Sequence, residues 1–161
     1  MRNRNLLINL ALGCSLVCLA GCSMKARTGD EAVNTAAEEI RVRDVINQFF
    51  DLAQKRDWNA AAALLADDFE IYSDEATSFD KKTYVALWKE IDEQIEHMEL
   101  REMEVRVSKD GQMAWSKYKG IFNGKINGKP HNVETAETLI LSNGGSGWKI
   151  NRAHACVKDL P

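Results

Sequence analysis

The sequence predicts an α+β domain: three N-terminal helices packed on a four-stranded antiparallel sheet. Three observations point to it. Apolar residues recur at helical spacing up to about Leu100 and with a period of two beyond it. Asp-Gly and Asn-Gly pairs separate the later segments as hairpin turns do. Each segment has one apolar face, so the helices must cover one side of a sheet. The composition suits a single core, with 161 residues, 45% of them hydrophobic and 28% charged. Lys and Arg number 21 against 24 Asp and Glu, a net charge of −3, which leaves no basic surplus for phosphates and argues against nucleic acid as a partner.

The chain opens with Arg2 and Arg4, an apolar run from Leu6 to Ala20, then small residues, the pattern of a secretory signal. The run is roughly 15 residues, short of the ~20 that span a bilayer. Leu19-Ala20-Gly21-Cys22 resembles the lipobox of bacterial lipoproteins. That resemblance implies cleavage after residue 21 and lipidation of Cys22, with palmitate-like chains holding the protein to the membrane at about 0.8 kcal/mol per buried CH₂. Ser23 stands where, by family rule, an aspartate would favour inner-membrane retention, so the implied place is the outer membrane, facing the periplasm. Arg2 and Arg4 leave with the signal and no acid does, so the mature balance becomes −5. Of four cysteines only Cys156 then keeps a thiol, which excludes an internal disulfide. Residues 22–35 carry no apolar periodicity and read as a tether; 36–161 form the domain.

Val42, Val45, Ile46, Phe49, Phe50 and Ala53 give the stripe of a first helix from about Ala36 to Lys55. Asp57 is placed to cap a second, Trp58 to about Ala66, rich in alanine and ended by Asp67-Asp68. Phe69 to Tyr72 alternates as a short strand, and Ser73 to Ser78 is a polar turn. Asp80 caps a third helix whose stripe is Tyr84, Leu87, Trp88, Ile91, Ile95 and Met98. Met103, Val105 and Val107 then alternate as a strand. Lys109-Asp110-Gly111 turns into a second strand, Gln112 to Phe122; Asn123-Gly124 and Asn127-Gly128 bracket the next connection. Val133 to Leu141 is a third, and Gly144 to Gly147 leads into the last, Trp148 to Val157.

Asp57-Trp58-Asn59-Ala60-Ala61, Leu64-Leu65-Ala66-Asp67-Asp68-Phe69, Asp110-Gly111-Gln112-Met113-Ala114 and Gly147-Trp148-Lys149-Ile150 with His154 stand in an order that resembles the nuclear transport factor 2-like superfamily, in particular its SnoaL-like branch. The resemblance implies a cone in which a curved sheet wraps the helices and leaves a pocket. Different members use it for acid–base catalysis, ligand binding or dimer assembly, so fold does not fix function.

Acid–base chemistry in such a cone needs an inward carboxylate with a donor beside it. Asp68, His154 and Glu137 are the candidates. Asp68 serves equally as a helix terminator. Trp148, Ile150, Arg152, His154 and Cys156 share one face of a regular strand; the resemblance implies that this face lines the pocket, which would set His154 there with Arg152 beside it for an anion. Glu134 and Glu137 lie on opposite faces; either register gives a plausible inner face, and the one with Glu137 ends more apolar. Tyr72, Tyr84, Trp88 and Trp115 supply pocket walls or core. His97 and His131 read as surface residues. His154 and Cys156 give two ligands where zinc wants at least three from protein, so no metal site is expected, and no phosphate loop or serine-hydrolase motif calls for a cofactor. A lipid-anchored binder of a small apolar ligand, an acid–base isomerase or lyase, and a homodimerising structural module all fit.

Overall fold

The computed structural model describes residues 33–73, 78–91 and 93–160. The signal, the lipobox with Cys22 and most of the tether lie outside the described residues. So do residues 74–77 of the turn after Tyr72.

The first helix, α1 (Thr35–Gln54), starts where the Asn34 side chain accepts from the Ala37 N–H and buries Val42, Ile46, Phe49 and Ala53 as its spacing predicts. It ends with Arg56 in the left-handed region at φ 58°. The Arg56 and Asp57 N–H groups turn back to the carbonyls of Ala53 and Leu52, a Schellman end. Asp57 then caps α2 (Trp58–Ala62) by accepting from the Ala60 N–H. One residue thus closes one helix and opens the next.

The expected second helix is shortened, because Leu65 already begins β1 (Leu65–Ser73) and Asp67-Asp68 lie on that strand. A three-residue strand, β2 (Ser78–Asp80), pairs with it, and Asp80 caps α3 (Lys81–Glu90) by accepting from the Thr83 N–H. Here the expected helix differs most. Its stripe continues through Ile95 and Met98, yet the chain is extended from Glu93 in β3 (Glu93–Val107). The pairing of β3 with β4 (Met113–Ile126) shifts register between Ile95 and His97. A β-bulge lets two residues on one strand oppose one on its partner, so Ile95 and Met98, three apart, face the same side as they would on a helix.

The hairpin to β5 (Lys129–Asn143) turns at Asn127-Gly128, with φ 51° and 75°, both positive as a two-residue primed turn requires. Asn123-Gly124, expected in this connection, sits inside β4. The last strand is β6 (Trp148–Asp159). The sheet is six-stranded and mixed, in the order β2-β1-β6-β5-β4-β3. The four-stranded antiparallel meander is present as β3 to β6, but β1 adds to it in parallel beside β6. That contact joins segments some 80 residues apart, for which no local pattern exists. The fully buried centre is Val42 and Ile46 of α1 against Val105, Ser116, Leu141 and Ile150 of the sheet.

Candidate binding site

Between the helices and the concave sheet face lies a cavity of about 180 Å³. An engineered apolar cavity of about 150 Å³ accepts benzene, so the space suits a molecule of one or two rings. Three helices supply aromatic wall: Phe49 and Phe50 from α1, Trp58 from α2, Tyr84 and Trp88 from α3. The rings interlock, with Trp58 stacked on Trp88 at 5.8 Å, Tyr84 edge-on to Trp88 at 6.2 Å, and Phe69 of β1 at 5.5 Å from Tyr84. Tyr84 and Trp88, four residues apart, share one face of α3.

The sheet supplies the polar end. Val133, Thr135, Glu137 and Leu139 point inward by the period of two along β5. Glu137 pairs across the sheet with Tyr118 of β4. The Tyr118 hydroxyl donates to Glu137 Oε2 at 2.6 Å and the Thr135 hydroxyl to Oε1 at 2.8 Å. Burial raises the Glu137 carboxyl above its ordinary value, opposed by these two hydrogen bonds. Burial first, then the neighbouring Glu137 charge, lifts Tyr118 well above the usual phenol range. Tyr118 thus stays a neutral donor beside a carboxyl whose ionisation burial disfavours.

The remaining candidates stand elsewhere. The register of β6 against β5 shifts between Ile140 and Leu141, and the bulge at Asn151 reverses which side chains face inward. Trp148 and Ile150 point in; beyond the bulge, Ala153, Ala155 and Val157 line the cavity, while Arg152, His154 and Cys156 turn outward. His154 therefore lies across the sheet from Glu137, and the two form no acid–base pair. Arg152 sits among Asp68 and Glu70, 3.7 Å from Asp68 Oδ2 and 3.9 Å from Glu70 Oε2, and Asn151 donates to Asp68. Asp68 belongs to this outer cluster and not to the cavity. Tyr72 pairs with His154 on the same outer side, because Phe69 and Ile71 take the inner positions of β1. Trp115 and Ile140 oppose each other on the outer face at 40% and 38% exposure.

Tyr118 and Thr135 were not singled out from sequence. Lys117 and Lys119 carried the signal for Tyr118, since alternate lysines mark the outer face of β4 and force Tyr118 inward. His131, read as a surface residue, lines the cavity rim.

The titration of Glu137 has a measurable consequence. A carboxyl raised in the folded state favours folding below the ordinary glutamate range and loses that contribution as pH rises through its folded value. Glu137→Gln keeps an acceptor for Tyr118 and removes the charge. In thermal melts the variant is expected to exceed the parent near about pH 8, with the gap closing toward about pH 4. A gap independent of pH would contradict the buried carboxyl.

Residues 42–158 match the model of the SnoaL-like domain family. The chain belongs to that family, and its fold is that of the nuclear transport factor 2-like superfamily. It is similar to an NTF2-like protein from Cytophaga hutchinsonii, at 13% identity over 73% of this chain and 95% of that one, TM-score 0.64. It is also similar to an NTF2-like protein with a cystatin-like fold from Novosphingobium aromaticivorans, at 16% identity over 76% and 82%, TM-score 0.61. A ketosteroid isomerase-like protein from Erwinia carotovora atroseptica is 13% identical over 74% and 95%, TM-score 0.61. At these identities the likeness concerns fold alone. No curated protein matches the chain in sequence.

Proposed function

We propose that the chain is a lipid-anchored binding protein of the bacterial cell envelope, whose domain receives a small, mainly apolar molecule in the cavity. The observation that carries this reading is the cavity itself: about 180 Å³, walled by aromatic rings from three helices, with hydrogen-bonding side chains converging at Glu137. Ligand sites are mostly apolar with a few placed polar groups. Naphthalene titrated into the protein should quench tryptophan fluorescence saturably, since Trp58 and Trp88 form wall, and should raise the melting temperature. A response that is merely linear, with no thermal shift, would defeat the reading.

The anchoring part rests on Leu19-Ala20-Gly21-Cys22. Cys22→Ala should move the protein from the membrane to the soluble fraction and end palmitate incorporation. A variant still labelled with lipid would refute it.

A second reading is favoured by one feature, the buried Glu137 carboxyl hydrogen-bonded to a neutral Tyr118. In an isomerase or lyase, Glu137 would move the proton and Tyr118 would donate to a developing oxyanion. Loss of turnover with retained ligand binding in Glu137→Gln would distinguish this enzyme from the binder.

A further inference from the structure

The charge pattern of the cavity goes further than its shape. Among its described lining residues there is no Lys, Arg or Asp, and Glu137 is the one carboxylate. The nearest basic group on its own strand is His131, six residues along β5 and so about 20 Å away at the rim. Tyr118 faces the carboxylate from β4, and Tyr84 lines the same cavity from α3. Both are phenols and carry no positive charge. Glu137 is thus a half-buried acid among apolar groups and phenols, with no Lys or Arg among the described lining residues.

Its hydrogen bonding is half used. An ionised carboxylate accepts about four hydrogen bonds and donates none. Tyr118 takes one position on Oε2 and Thr135 one on Oε1. These bonds fix the carboxylate plane and leave the other lone pairs of a side chain that borders the cavity. Only a donor satisfies them, and only a cation also cancels the buried charge. The surrounding wall suits the same guest: Phe50, Trp58, Tyr84, Trp88 and Phe122 offer ring surface, and ring faces attract cations most strongly where water is excluded. An anionic guest meets no Lys or Arg among the described lining residues and is repelled by Glu137, and a neutral hydrocarbon leaves the carboxylate uncompensated.

We infer that the cavity binds a small aryl- or alkylamine in its protonated form, with the ammonium donating to Glu137 and the apolar body lying among the rings of the three helices. This rests on the binding reading above and names the ligand class for that same site. Burial raises the Glu137 carboxyl, and a cation beside it would favour its charged form.

Three probes of matched size separate the possibilities: phenethylamine, its isostere propylbenzene, and 3-phenylpropionate, each titrated by tryptophan fluorescence and calorimetry near neutral pH. Phenethylamine is expected to bind at least about tenfold more tightly than propylbenzene, and 3-phenylpropionate to show no saturable binding. Glu137→Gln should erase the preference for the amine while propylbenzene affinity stays within about twofold. Equal or tighter binding of the hydrocarbon, binding of the carboxylate, or a preference that survives in Glu137→Gln would overturn the amine assignment and leave the apolar site standing. Failure of all three probes and of naphthalene would overturn both.

Discussion

Trp148→Ala is expected to cost about 3–5 kcal/mol in denaturant unfolding, the range for deleting a large buried aromatic side chain. Trp148 is 5% exposed at the start of β6 and packs into the same cluster as Phe49, Leu141 and Ile150. Its indole N–H donates to Glu38 Oε2 at 2.9 Å, tying the last strand to the first helix. Glu38 also pairs with Arg41 through its other oxygen at 2.6 Å, so the carboxylate keeps a partner when the indole is lost. Most of the cost is therefore packing, and Trp148→Phe should recover all but about 1–2 kcal/mol. A loss below about 1 kcal/mol for the alanine variant would contradict the inward placement of Trp148.

Gly124→Ala is expected to be as severe from a single added methyl group. A Cβ at this position would fall 2.0 Å from the carbonyl oxygen of Gln94 and 3.1 Å from the Ile95 Cα. These are backbone atoms of β3, so relief requires pulling β3 away from β4, beyond the about 1–3 kcal/mol usual for overpacking by side chains. Ile95, Met98 and Phe122 line the cavity along this edge, and their amides should lose hydrogen-exchange protection together. Gly128→Ala is the control. At φ 75° it carries a backbone penalty, but nothing lies within 4 Å of an added Cβ, so about 1 kcal/mol is expected. Equal effects at the two glycines would mean that β3 and β4 are not in close contact at Gly124.

The parts of the fold legible in the sequence are those whose causes are local. The stripe of α1, the caps at Asp57 and Asp80 and the turn at Asn127-Gly128 each depend on residues within a few positions. What escaped depends on pairing with distant segments. The bulge near Glu96 gave a strand the spacing of a helix, and the parallel docking of β1 on β6 has no signature in either segment. The site divides in the same way. Tyr84 and Trp88 followed from a helical face, and Glu137 was one of two choices on an alternating strand. His154 and Arg152 were lost because a bulge breaks the alternation of β6. Trp115 and Tyr118 occupy opposite faces of β4, and only the alternating lysines tell them apart.

The bulge at Asn151 separates two readings of one strand. Upstream of it the inward residues are Trp148 and Ile150; downstream, Ala153, Ala155 and Val157 form a bare wall beside Glu137. Removal of Asn151 would close the bulge and leave Ala153, Ala155 and Val157 facing inward, whereas absorbing Asn151 into regular pairing would shift the register by one and present Arg152, His154 and Cys156 to the interior. A slip of one residue in pairing would thus bring a guanidinium, an imidazole and a thiol to the interior without altering any of the three. In this fold the lining of the cavity can therefore change through the loss of a bulge as well as through substitutions, and the residue to examine is the unpaired one.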